Sequence, residues 1–133
     1  MNLAETPGRL LDISDLRVAF GHGDQQNLAV DGVDLHVNAG ESVALVGESG
    51  SGKSVTALSI LKLLPYPLAH HPSGRILFDG TDVLTSPEPV LREIRGIKTG
   101  IIFQEPMTSL NPLHTVERQV SESLTLHGLL SGE

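Results

Sequence analysis

Residues 47–54 read Gly47-Glu48-Ser49-Gly50-Ser51-Gly52-Lys53-Ser54, a complete match to G-x-x-x-x-G-K-[ST]. Each position has a chemical reason. Glycines let the backbone curl so that successive N–H groups converge, and they leave no side chain to block an approaching phosphate. Lys53 is placed to reach the β- and γ-phosphates of a nucleotide, and the Ser54 hydroxyl to coordinate Mg²⁺. A helix starting at this point adds the positive end of its dipole. The flanks fit. Upstream, Val43-Ala44-Leu45-Val46 is apolar at every position, which predicts a buried, central, parallel strand. Downstream, Val55, Leu58, Leu61 and Leu64 recur at helical spacing until Pro65 and Pro67, which predicts a helix running to the first proline. Strand, glycine loop and helix in that order define a P-loop in an α/β domain, and a flexible Gly/Ser connector would not carry these flanks.

Outward from the loop, Leu16, Val18 and Phe20 alternate with polar or small residues, as do Val33, Leu35 and Val37. Both segments read as half-exposed strands joined through a turn at Gly21-His22-Gly23-Asp24. Residues 1–10 show no periodicity and read as a loose lead-in, with order beginning near Leu11. On the other side, Tyr66 to Ser73 reads as a loop, Arg75-Ile76-Leu77-Phe78 as a strand, and Asp79-Gly80 as a tight turn. Val90, Leu91 and Ile94 predict a short helix, introduced by Pro87 and Pro89 and stopped by Gly96. A second fully apolar strand is expected at Ile101-Ile102-Phe103, then a loop from Gln104 to Pro112. Val116, Val120 and Leu124, four apart, predict a final amphipathic helix.

The 133 residues are 39% apolar and 19% charged, an ordinary globular balance. Nine Lys and Arg against sixteen Asp and Glu leave a net charge of −7, which argues against a nucleic-acid partner. With no cysteine, disulfides, thiolate zinc sites and cysteine catalysis are excluded. The six histidines (His22, His36, His70, His71, His114, His127) show no ligand spacing, so no transition-metal site is expected. Glu88, Glu93, Glu117 and Glu122 fit solvated helix faces. No signal peptide or bilayer-spanning run is visible. A phosphate cradle alone serves kinases, GTPases and transport ATPases alike. No N-K-x-D guanine-reading motif occurs in the chain.

Three features narrow the choice. Phe20 closes the first strand, residues 47–61 read GESGSGKSVTALSIL, and residues 103–112 read FQEPMTSLNP. Together they resemble the ATP-binding subunits of ATP-binding-cassette (ABC) transporters, in wording similar to the peptide and nickel importer branch and, within it, to peptide-type importers that also take up microcin C. The resemblance covers the chain from about Leu11 onward. It implies an α/β P-loop ATPase of ABC type whose core is partial here, an antiparallel β subdomain plus the start of a parallel sheet, spanning residues 11–133. It implies ATP and Mg²⁺ as ligands, with Phe20 stacking on adenine, residues 47–54 around the phosphates, and Ser54 and Gln104 at the metal. Lys53 and Gln104 are then the catalytic candidates. The implied partners are the transmembrane permease subunits, a second nucleotide-binding domain packed head to tail, and, indirectly, a solute-binding protein. The implied location is the cytoplasmic face of the inner membrane.

The family's signature motif, Mg²⁺-holding aspartate, catalytic glutamate and switch histidine follow the region of Gln104. Leu130-Ser131-Gly132-Glu133 lacks the second glycine and the glutamine of an LSGGQ signature. The expectation is therefore an N-terminal part of a longer ATPase domain, binding nucleotide without hydrolysing it and leaving apolar surface uncovered. A non-catalytic module docking on a permease or partner ATPase is the alternative, and a fragment of a P-loop kinase or GTPase is a further one.

Overall fold

The computed structural model describes residues 8–104 and 110–126. The chain divides into two units, Met1–Pro87 and Glu88–Glu133. In the first, strands β1 (Arg9–Phe20) and β2 (Asn27–Asn38) form a long antiparallel hairpin, closed by a 3₁₀ turn at Gly23–Gln25. The strands are longer than their alternating cores suggested, and β1 takes in Arg9 and Leu10 of the expected lead-in; residues 1–7 lie outside the described ones. The register pairs Leu11 with Val37, Ile13 with Leu35, Leu16 with Val33 and Phe20 with Asn27, and it shifts between Ile13 and Leu16. At that irregularity Asp15 adopts a positive φ of 44°, and its N–H donates to Asp34 Oδ1 at 2.9 Å. Arg17 bridges the same place, donating to Asp15 Oδ2 at 2.6 Å and to Asp31 Oδ1 at 2.8 Å. These two carboxylates hold the guanidinium pKa above its ordinary value, Asp31 first through its hydrogen bond.

Strand β1 is the centre of the sheet. Beyond β2, it pairs with β3 (Ala69–His70) at its far end and with β4 (Arg75–Phe78) through Leu11 to Ser14. Strand β5 (Thr81–Asp82) returns from β4 through Asp79 and Gly80, whose φ values of 48° and 74° are those of a primed hairpin turn. Ile13, Leu16, Val18, Ile76 and Val83 are fully buried at the core. The β3 pairing was not expected, because Tyr66 to Ser73 read as loop; the two-residue ladder exists only because β1 offers a free edge there.

Helix α1 (Lys53–Ile60) is shorter than the spacing of Leu61 and Leu64 predicted. Lys62, at φ 50°, ends it in a Schellman arrangement: the Leu63 N–H donates to Leu58 O at 2.9 Å, and the Lys62 N–H to Ser59 O at 3.0 Å. Lys62 Nζ also donates to Leu84 O at 2.8 Å, which ties this unusual αL lysine to the sheet side. Leu61 and Leu64 are buried, but within the helix the buried side chains are Thr56 and Ser59 rather than Val55 and Leu58. Ser59 carries no unmet polarity inward, since its hydroxyl donates to Val55 O at 2.8 Å.

Two apolar segments depart from expectation. Val43 to Val46 joins no ladder, with Val46 89% exposed; Ile101 to Phe103 likewise joins none, with Ile102 99% exposed. All strand pairings among the described residues are antiparallel. A parallel central strand needs hydrogen-bonding neighbours on both edges, and hydrophobicity announces burial without supplying those neighbours.

In the second unit, α2 (Glu88–Glu93) runs on into a π turn at Ile94–Lys98, so Gly96 sits inside a turn instead of ending the helix. Leu91 and Ile94 are buried. Helix α3 (Val116–Leu126) forms as expected, with the Thr115 hydroxyl accepting the Arg118 N–H at 3.3 Å. The Gln119 side chain fastens the preceding turn, accepting from the Asn111 N–H at 2.8 Å and donating to His114 O at 2.9 Å. Val116, Val120 and Leu124 do share a face, and that face is exposed.

Around β3, Tyr66 Oη and His71 Nε2 are 2.7 Å apart, and the rings of His22 and His70 stack at 6.1 Å. Burial, reinforced by the charge of Lys62 and by His70, pushes the His71 imidazole below its usual value. A depressed histidine leaves the unfolded chain binding more protons, so stability is complete above about pH 6.5 and is lost as pH falls toward the lower folded value. Melting temperature should therefore fall between pH 7.5 and 5.5, and His71→Gln should make that fall shallower. Equal slopes for parent and variant would refute the assignment.

Candidate functional site

The loop between residue 46 and α1 is built by close approaches. Gly52 caps α1 at φ 86° and ψ 3°, a left-handed conformation, and a Cβ there would stand 2.7 Å from Ala29 O and 3.2 Å from Val30 Cγ2 on β2. Only glycine lets the loop press on that strand. At Gly47 a Cβ would meet Ser51 Oγ at 2.7 Å, whereas at Gly50 there is open space. The Ser51 N–H donates to Glu48 O at 3.2 Å, closing the turn.

The Thr56 N–H donates to Gly52 O at 2.8 Å and opens the helical ladder. The N–H groups of Lys53, Ser54 and Val55 thus precede any helical acceptor. Lys53 folds its ammonium back over the loop, donating to Gly47 O at 2.7 Å, Glu48 O at 2.5 Å and Ser51 Oγ at 3.1 Å. A cavity of about 160 Å³ opens beside these atoms, lined by Ala29 and residues 50–55. No acidic residue lies in the first turn of α1. Free backbone donors, a helix N-terminus, an ammonium and a hydroxyl on one small cavity make an anion site.

Phe20 lies in the same unit, half-buried at the end of β1, opposite Asn27 on β2 and Ala69 on β3. Ala29, which lines the cavity, is two residues along β2 from Asn27. Phe20 and the glycine loop thus share one unit and both neighbour β2, but Phe20 does not line the cavity. Ala29 escaped the sequence reading, and nothing in its residue type could have marked it: its contribution is a backbone carbonyl and a small side chain. Gln104 belongs to the second unit, where it is exposed at a bend after the unpaired segment 101–103, not after a buried strand. Residues 105–109 of the run that follows, and Leu130 to Glu133, lie outside the described residues. Among the described residues no cluster of three histidines, aspartates or glutamates could hold a metal. Nor is any helix among them long and apolar enough to cross a membrane.

A glycine loop that leads into a helix, with a lysine over its mouth, defines a P-loop nucleotide-binding domain. Residues 30–131 match the family model described as ABC transporter, and the chain belongs to that family. Its P-loop is that of an ABC-type ATPase domain. It is 64% identical over 123 residues to a peptidoglycan transport ATP-binding protein of Agrobacterium fabrum, covering 92% of the chain and 22% of the relative. To an uncharacterized ABC transporter ATP-binding protein of Escherichia coli it is 55% identical over 118 residues, 89% of the chain and 22% of the relative. To the oligopeptide transport ATP-binding protein of Bacillus subtilis it is 45% identical over 125 residues, 94% of the chain and 35% of the relative. The chain thus spans about a fifth to a third of the length of these curated relatives.

Proposed function

We propose that the chain is the nucleotide-gripping front of the ATP-binding subunit of an importer for peptides or related solutes. The observation that carries this reading is the cavity at the N-terminus of α1, lined by Ala29 and residues 50–55, with the Lys53 ammonium held against the loop beside it and no acidic side chain among its lining residues. Backbone N–H groups of the loop hold the phosphates in place, and Lys53 neutralises their outer charge. Ser54 offers a hydroxyl oxygen suited to Mg²⁺, which takes its remaining ligands from phosphates and water. When bound, ATP with Mg²⁺ supplies the phosphoanhydride whose cleavage drives transport in this family. Phe20 offers an aromatic face to the base, and Gln104, a neutral amide, orients water or metal without competing for charge.

In the whole protein, the segment beyond Gln104 contacts transmembrane permease subunits at the cytoplasmic face of the inner membrane. A second nucleotide-binding domain pairs head to tail with this one, and a solute-binding protein delivers the cargo. The names of the relatives, which speak of peptidoglycan and oligopeptide transport, support a peptide-related cargo.

For the 133-residue chain itself the reading is binding without turnover, because its sequence contains no Asp-Glu pair to serve as the family's Mg²⁺-holding aspartate and adjacent catalytic glutamate. Calorimetric titration with MgATP should show binding, and phosphate release should stay at background. Phe20→Ala should weaken binding about 3- to 10-fold, while Phe20→Tyr should preserve it. Robust release by the chain would overturn binding without turnover, and equal affinity for the alanine variant would remove Phe20 from the site.

A further inference from the structure

Lys53 presents three N–H bonds, and the loop meets them with three acceptors: Gly47 O at 2.7 Å, Glu48 O at 2.5 Å and Ser51 Oγ at 3.1 Å. Two of these are backbone carbonyls that every sequence would provide. The third is a side chain, and its place is fixed twice over. Its own N–H is tied to Glu48 O at 3.2 Å, and its Oγ lies where a Cβ on Gly47 would come within 2.7 Å. The lysine stem passes the same spot, with Cδ 3.8 Å from that Cβ position. Gly47, Ser51 and Lys53 therefore meet across the loop, the hydroxyl close to the first and bonded to the ammonium of the last.

We propose that Ser51 is a positioning residue for Lys53: its hydroxyl fixes the direction of the ammonium over the mouth of the loop, so that the charge is already aimed when polyphosphate arrives. A lysine side chain loses much rotamer freedom on being ordered, and a fixed acceptor that orders it beforehand reduces that loss on binding. The inference rests on the nucleotide reading above and assigns to Ser51 a task distinct from contact with phosphate. A free hydroxyl also turns readily, so the ammonium can exchange this acceptor for a phosphate oxygen without moving the backbone.

The test compares Ser51→Ala, which removes the acceptor, with Ser51→Cys, which keeps its shape and leaves only a weak one. Affinities for ATP, ADP and AMP are measured on the chain by competition against a fluorescent nucleotide. Lys53 acts on the β- and γ-phosphates, which AMP lacks. Both variants should weaken ATP and ADP about 3- to 10-fold and leave AMP unchanged. Equal weakening of all three nucleotides would show that Ser51 only supports the loop, and unchanged or tighter ATP binding would show that it does not position the lysine. Either result overturns the proposal. A parent chain that binds none of the three defeats the nucleotide reading itself, and the positioning role with it, before any variant is made.

Discussion

Lys53→Ala should weaken ATP binding by roughly 10- to 100-fold while leaving the melting temperature of the chain nearly unchanged. The side chain contributes nothing to the core: its polar contacts are with the loop's own Gly47, Glu48 and Ser51. Hydrogen bonds to charged groups are worth about 1.5–3 kcal/mol, and each 1.4 kcal/mol is tenfold in affinity. The carbonyls of Gly47 and Glu48 are exposed and pass to water when the ammonium is gone, so the folded state has little to lose. Titration calorimetry and thermal melting on the same samples decide it. Undiminished ATP affinity would remove the lysine from the site, and a large drop in melting temperature would recast it as a structural residue.

Gly52→Ala should fail in the opposite manner, losing stability and nucleotide affinity together. Alanine at φ 86° costs about 1–2 kcal/mol in backbone strain alone. Its methyl would stand 2.7 Å from Ala29 O, a backbone atom that cannot rotate aside, so α1 and β2 must separate. Displacement of packed elements adds about 1–3 kcal/mol. A fall in melting temperature of about 10 °C is expected. Since Ala29 lines the cavity, the same movement reshapes the cavity proposed to hold phosphate. A variant that melts with the parent yet binds no nucleotide would mean that Gly52 serves the phosphate alone and not the packing on β2.

The pair of outcomes separates what was legible from what was not. The loop and the helix start at Lys53 could be read from eight consecutive residues, because such a loop is a local object: glycines, a lysine and a helix N-terminus adjacent in the chain. The hairpin β1–β2, the strand at Arg75–Phe78 with its Asp79-Gly80 turn, and helix α3 were equally visible, since each is set by period or turn chemistry over a few residues. The end of α1 was not. Prolines at 65 and 67 were the obvious stop, yet the helix closes at Ile60 because Lys62 accepts a left-handed conformation and ties its ammonium to Leu84, 22 residues away. The π turn after α2 likewise ignores Gly96.

The largest departures are the apolar segments 43–46 and 101–103. Their residue types announce burial, but strand formation depends on partners that residue type cannot name. Among the described residues neither segment is paired. Gln104, read as the polar end of a buried strand, is for the same reason an exposed residue at a bend.

The sequence by itself determined the G-x-x-x-x-G-K-S loop, the helix that follows it, and a family resemblance that the comparison bears out. Only the tertiary structure decided that Gly52 is pressed against β2, that Ala29 walls the cavity, and that the Ser51 hydroxyl stands close to Gly47 and within hydrogen-bond reach of the Lys53 ammonium. The physical reason is range. Conformational preference and local hydrogen bonding act between neighbours in the chain, whereas close packing and the choice of hydrogen-bond partner are settled between residues that meet only after folding.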